Sequence, residues 1–182
     1  MSQTLWTIGH STRPLDQFLA LLRQYEIEAL ADVRRFPTSR RHPQFNEAAL
    51  RQTLEEQGIE YLWLPKLGGR RPTKRDSPNT AWRNASFRGY ADYLTTPEFS
   101  AGLDDLLALA QRRRTAIMCA EVVWWRCHRA IISDVLLSRG WQVIHILDEH
   151  KSSTHKYSAA ARIVDGQLTY AGAPAQRTLF EE

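Results

Sequence analysis

Two cysteines, a histidine, a carboxylate and two arginines fall within the eleven residues from Cys119 to Arg129 (CAEVVWWRCHR). Three chemistries follow from those types at that spacing. Glu121 is a candidate general acid or base, and Asp32 offers a second carboxylate whose proximity would split the two pKa values. A helix beginning near Arg126 would place Cys127, His128 and Arg129 in its first turn, where free backbone N–H groups and the positive dipole end favour an anion. Cations oppose the dipole at that end, which points to a ligand bringing the compensating charge; the bland alternative pairs His128 and Arg129 with Glu121 or Asp134. The third chemistry is that of Cys119 and Cys127 as reactive thiols, with a thiolate activated at the helix start; here the alternative is two small buried hydrophobes. The C-x7-C-H spacing fits no standard zinc site, and a further ligand would have to come from His10 or Asp32, so neither a metal nor a cofactor is expected.

These groups need elements that bring them together. Short β-rich runs alternate with helical stretches, which predicts an α/β fold of three layers: a mostly parallel sheet of about five strands with helices on both faces. The strands are read at 4–8, 29–33, 60–64, 115–119 and 142–147. Helices are expected from Pro14, capped by Ser11 or Thr12, to about Tyr25; from an Asn46 cap to Gly58; after Thr96-Pro97 to the arginines 112–114; and from about Arg126 to Arg139. Residues 162–170 predict a C-terminal hairpin turning at Asp165-Gly166, adding an antiparallel edge. Ligands of an open parallel sheet bind beyond the carboxyl ends of its strands. Gly9-His10-Ser11, Asp32 with Arg34, and Cys119-Ala120-Glu121 all fall there, so Ser11, Arg34, Arg129 and Cys127 are candidate anion ligands, with His10 or His128 positioning substrate or shuttling a proton.

The stretch 65–88 has no hydrophobic period and is long for a loop, which marks it as functional or disordered. Within it Lys66, Gly68, Gly69, Arg70 and Arg71 resemble a phosphate-cradling loop without the spacing of a P-loop. Arg83, Arg88 and Tyr90 add the mixture of cations and aromatics that suits nucleic-acid contacts. The tail ends Gln176-Arg177-Thr178-Leu179-Phe180, and Gln176, Leu179 and Phe180 fit the short peptide by which bacterial repair and replication proteins dock on the sliding clamp.

Composition bounds the reading. The chain has 182 residues, 43% hydrophobic and 24% charged, the proportions of a globular protein. We expect one α/β domain over 1–172 and a flexible tail over 173–182. Two cysteines and a plain Met1 start argue for a reducing cytoplasm, and no run reaches the roughly 18 apolar residues of a membrane span. The net charge of +4 is unevenly placed: residues 34–88 hold twelve Arg or Lys against five Asp or Glu, and the remainder twelve against fifteen. Of the 24 basic residues only Lys66, Lys74, Lys151 and Lys156 are lysine, a bias suited to bidentate capture of phosphate or carboxylate.

Thr7-Ile8-Gly9-His10-Ser11, Asp32-Val33-Arg34, Leu67-Gly68-Gly69, Phe87-Arg88-Gly89-Tyr90-Ala91 and Cys119-Ala120-Glu121 with Cys127-His128-Arg129 together resemble a widespread bacterial family catalogued only as a domain of unknown function, over about residues 5–148. The resemblance implies an α/β sheet domain with a pocket built from these motifs, and no reaction. Trp124 stands where that family's usual pattern has a proline.

The expected function is therefore a hydrolase or transferase acting on a phosphate-bearing substrate, a nucleotide or nucleic acid. The rivals are a non-catalytic nucleic-acid-binding module recruited to the sliding clamp, and thiol or sulfur-transfer chemistry at Cys119 or Cys127.

Overall fold

A computed structural model describes residues 3–173. Gln176, Leu179 and Phe180, expected to dock on the clamp, lie outside the described residues. The parallel strands are β1 (Thr4–Gly9), β2 (Ala29–Asp32), β3 (Glu60–Trp63), β4 (Thr115–Cys119) and β5 (Gln142–Ile146), and β6 (Ser152–Thr154) runs antiparallel along β5. Their order in the sheet is β3-β2-β4-β1-β5-β6. Helices α1 (Leu15–Gln24) and α2 (Glu47–Glu56) alternate with the first strands, and α3 (Ala85–Tyr93), α4 (Pro97–Arg112) and α5 (Arg129–Ser138) follow. Two apolar clusters divide the molecule. Phe18, Leu22, Leu50 and Leu54 meet Ile8, Leu30 and Met118 on one face of the sheet. Tyr90, Phe99, Leu103, Ile131 and Ile132 meet Leu5, Ala31 and Ile117 on the other. The α/β reading thus holds, with the sheet covered on both faces. Among the described residues no helix is long and apolar enough to cross a membrane.

Local chemistry explains most boundaries. Thr96 caps α4, its Oγ1 accepting from the Phe99 amide at 3.2 Å, with Pro97 in the first turn. Gly58, at φ +75°, ends the α2 segment. Three expectations are corrected. The Asp165-Gly166 hairpin forms as β7 (Arg162–Val164) and β8 (Gln167–Thr169), but as a separate two-stranded sheet; the antiparallel edge is β6 instead. Pro14 itself is the residue before α1, and neither Ser11 nor Thr12 caps it by a side-chain bond. The helix expected from Arg126 begins at Arg129, after a single 3-10 turn over Trp124–Arg126.

The long 65–88 stretch is tied down by Asp92 on α3. Its carboxylate accepts from the Lys74 amide (2.8 Å), Ser77 Oγ (2.5 Å) and Asn79 Nδ2 (2.7 Å), so the loop has an interior anchor despite lacking an apolar period.

Strand order sets the site. From β1 the chain turns toward β2, and from β4 toward β5, yet β1 and β4 are neighbours. Their connections leave in opposite directions, but the His10 and Ser11 amides bond to the Cys119 and Ala120 carbonyls and close the gap between them, so the cavity opens one strand over, beyond β2 and β4. Gly9 ends β1 at the closed gap, and a Cβ at that position would overlap the Glu121 carbonyl, so the 120–122 loop can cross only over glycine. Gly9→Ala should therefore cost about 2–3 kcal/mol as an overpacked contact against unyielding backbone, which lowers the melting temperature by roughly 5–10 °C for a chain of this size. Thermal unfolding followed by circular dichroism checks this.

Candidate functional site

Beyond the carboxyl ends of β2 and β4 lies an open cavity of about 580 Å³ whose lining includes Arg34, Arg70, Glu121, Arg126, Cys127 and His128. Cys119 and Tyr90 form part of its floor, and Phe36 and Phe87 part of its walls. Tyr90 is held by a bond from its hydroxyl to the Leu67 carbonyl at 2.7 Å.

Cys127 lies between the 3-10 turn and α5, half-buried, and its sulfur is surrounded by donors. The Arg129 amide donates at 3.4 Å, Arg129 Nε at 3.2 Å, and the Cys119 S–H stands 3.1 Å away. Since two N–H groups already point at Cys127 Sγ, Cys119 is the thiol that keeps its proton, with the Glu121 carbonyl at 3.6 Å as a second acceptor beside Cys127. Burial alone would push Cys127 up, but the Cys119 bond and the Arg129 charge outweigh it and bring it down to about 5. Burial, followed by the neighbouring Cys127, holds Cys119 well above the ordinary thiol range. One cavity-facing thiolate and one buried thiol result.

Arg129 is turned inward, 1% exposed. Its guanidinium donates to Thr7 Oγ1 at 3.1 Å and to the carbonyls of Glu121 and Val122, besides Cys127. It does not line the cavity. The α5 amides are taken as well: Ala130 bonds to the Cys127 carbonyl and Ile131 to that of His128. The anion site expected at the helix start is thus filled from within. The ordinary pairing of Arg129 with Glu121 or Asp134 side chains is also absent among the described residues; carbonyls and a sulfur take their place.

Arg34 reaches the cavity but is fixed from behind. Asp32 accepts from Arg34 Nε (2.9 Å), Nη2 (2.6 Å) and amide (3.1 Å), and from the Tyr61 hydroxyl (2.5 Å). The fully buried Asp32 carboxylate therefore orients Arg34 and does not face the cavity, which places it apart from Glu121. His10 Nδ1 donates to the Ser11 carbonyl at 2.9 Å, leaving Nε2 to face Arg34 Nη1 at 3.4 Å. Burial pulls His10 down to about 4, so at neutral pH it is an uncharged support stacked on Phe45. Ser11 contributes its amide to the Ala120 carbonyl rather than a hydroxyl to the cavity.

His128 sits before α5, and its Nε2 donates to the Val33 carbonyl at 2.8 Å. Burial lowers its pKa, so it is neutral and presents Nδ1 as an acceptor. That nitrogen lies against Gly69, where any Cβ would press on it at 2.9 Å. Gly68 likewise lies against the Arg35 backbone, so the two glycines serve close packing. Glu121 is exposed at the rim, one oxygen accepting from the Val123 amide at 3.3 Å. Of the loop cations, Arg70 faces the cavity, whereas Arg71 donates to the Gly68 and Pro65 carbonyls and Arg88 to that of Trp82. Lys66 and Arg83 are exposed elsewhere and do not line the cavity.

Sequence reasoning missed a buried chain behind the thiolate. Thr7 accepts from Arg129, so its own proton goes to His145 Nδ1 at 2.7 Å. His145 Nε2 then donates to His155 Nδ1 (2.9 Å), and His155 Nε2 to Asp134 Oδ1 (2.7 Å). The Tyr170 hydroxyl donates to the other Asp134 oxygen at 2.7 Å. Trp124 stacks on His145 at 4.2 Å, which closes the chain off and pins the 121–127 loop. The available signal was polarity inside apolar runs, Asp134 within AIISDVLL and His145 within VIHIL.

The family model described as Domain of unknown function DUF488 matches residues 14–136. No curated protein and no solved structure matches the chain.

Thr7→Val keeps the side chain's shape but leaves His145 Nδ1 and one Arg129 N–H without partners, an expected loss of about 1–3 kcal/mol. Thr7→Ser keeps the hydroxyl and should lose about 1 kcal/mol at most, the worth of one methyl group. Urea unfolding of the two variants separates them; equal losses would contradict the relay from Arg129 to Asp134.

Proposed function

We propose that this chain, which belongs to the DUF488 family of domains of unknown function, is a thiolate-dependent hydrolase or transferase acting on a phosphate-bearing anion. The observation that carries this reading is Cys127 Sγ, facing the cavity with three donors on it. A sulfur so placed is ionised at neutral pH and nucleophilic, and needs no separate base to activate it.

The remaining groups take roles that suit a covalent route. Arg70 and Arg126 are exposed at the mouth and Arg34 is fixed deeper in, a set of cations that draws an anion toward the sulfur. Cys127 attacks the electrophilic atom of the bound group and the leaving oxygen takes a proton from water; Glu121 at the rim then deprotonates the water or acceptor alcohol that displaces the Cys127 thiolate. Neutral His128 offers an acceptor at Nδ1, and Phe36 and Phe87 flank the opening as apolar surfaces for a ring such as a nucleobase. Asp32 and His10 hold Arg34 rather than act on substrate. A reducing cytoplasm, where both thiols persist, suits the mechanism.

A non-catalytic nucleic-acid module is favoured by one observation. Phe36 is 62% exposed with the Arg35 guanidinium 5.5 Å from its ring, and Arg40 and Arg41, a few residues further along the chain, are exposed as well. Such a patch offers stacking and phosphate contacts to a strand, and a clamp-docking tail would recruit it. That reading expects salt-dependent DNA binding indifferent to Cys127.

Paired alkylating probes test the thiolate reading without a known substrate. Relative to glutathione, Cys127 should favour anionic iodoacetate over neutral iodoacetamide by roughly tenfold or less, the scale of modest electrostatic steering. Arg70→Glu with Arg126→Glu should remove that preference, and Cys127→Ser should abolish rapid labelling. Labelling at the slow rate of an ordinary thiol, or no preference for the anion, would contradict the proposal.

A further inference from the structure

Cys119 has no part in the mechanism above beyond donating one hydrogen bond, which a hydroxyl or an amide would supply equally well. A thiol is chemically different from those donors only if it is oxidised. Its sulfur touches that of Cys127 at 3.1 Å, and bonded sulfurs stand about 2 Å apart, so closure requires a shift of about 1 Å. The seven residues between them lie outside the sheet; Trp124, stacked on His145, holds one side of the 3-10 turn, and the exposed Trp125–Arg126 end beyond it is where such a shift is accommodated. Cys119 itself is 3% exposed at the end of β4 and does not meet solvent first. Both sulfurs border the cavity, but Cys127 is only half-buried and meets solvent first.

We propose that Cys127 and Cys119 form a two-cysteine redox couple in which Cys127 is the site of oxidation by a hydroperoxide and Cys119 is the resolving thiol. The Cys127 thiolate attacks one peroxide oxygen, the O–O bond breaks, and Cys127 becomes a sulfenic acid as hydroxide or alkoxide leaves and takes a proton from water. The Cys119 sulfur then attacks Cys127 Sγ, the S–O bond breaks, and the thiol proton of Cys119 leaves with the hydroxide as water. Two electrons pass from the sulfurs to the peroxide, and the product is a Cys119–Cys127 disulfide. A dithiol reductant returns the pair to the starting state by exchange. The disulfide removes the cavity thiolate, so oxidation switches off the proposed nucleophile reversibly, and the buried Cys119 prevents Cys127 from advancing to irreversible sulfinic acid. This rests on the cavity-facing thiolate of the proposed function but on no substrate or anion preference.

The full chain is treated with hydrogen peroxide, quenched by acid, unfolded, alkylated and mapped by mass spectrometry. The wild type is expected to lose both alkylatable thiols together, yield a peptide linking Cys119 to Cys127, and recover both on dithiothreitol. Cys119→Ser is expected instead to give a dimedone adduct on Cys127 and then sulfinic acid. Sulfinic acid at Cys127 of the wild type with Cys119 still free, or two thiols surviving peroxide, overturns the couple. Iodoacetate selectivity measured separately on the untreated, folded chain separates the outcomes: a disulfide without anion preference defeats the function and spares the couple, and anion preference without a disulfide does the reverse.

Discussion

A guanidinium with 1% exposure must find acceptors inside the protein, and Arg129 finds four: the carbonyls of Glu121 and Val122, the Thr7 hydroxyl and the Cys127 sulfur. Carbonyl dipoles satisfy its N–H groups but do not neutralise its charge. Burying an unpaired cation costs several kcal/mol, so the fold gains by keeping an anion beside it. The Cys127 thiolate is that anion in direct contact. The same ion pair fixes the crossing loop, the sulfur's ionisation and the start of α5, which is why a helix whose first turn carries a cation is stable there. A cation in the first turn of α5 needs a compensating negative charge, and the group in contact with it that can carry one is Cys127 Sγ, a side chain of the protein.

The second counter-charge is remote. Asp134 reaches Arg129 only through His155, His145 and Thr7, and the donors all point toward the carboxylate. Burial lowers the pKa of His145, aided by its neighbours His155 and Arg129, so it relays orientation as a neutral ring. Asp32 does for Arg34 what this chain does for Arg129. Arg34 and Arg129 are thus each aimed by a buried carboxylate, directly or through a chain, and the two carboxylates leave Glu121 as the acidic group lining the cavity.

Much of this was legible. Alternating β and helical runs imply the parallel sheet, and the rule that ligands gather at carboxyl ends puts His10, Asp32, Arg34, Cys119 and Glu121 at one edge. What spacing could not convey was direction. Asp32 and Arg34 do share a side, yet they bond to each other and only the arginine reaches the cavity. Arg129 resembles an anion ligand until its side chain turns inward. α5 starts three residues later than its pattern suggests, because Trp124–Arg126 adopt a 3-10 turn, and this leaves Cys127 outside the helix. Thr7, Asp134, His145 and His155 lie on separate elements, so no local pattern unites them. The glycines of Leu67-Gly68-Gly69 suggested a phosphate cradle, but their lack of Cβ serves contact with Arg35 and His128.

The central claim is that Arg129 and Cys119 hold Cys127 as a thiolate. Ultraviolet thiolate absorbance measured against pH, in the wild type and in Cys127→Ser, tests it most directly. A thiol whose pKa is depressed in the fold is ionised above that value and protonated below it, so the band should persist through neutrality, fall with a midpoint near pH 5, and be missing from Cys127→Ser. A band that appears only near the ordinary thiol value of about 8.5, in both proteins alike, would contradict the account.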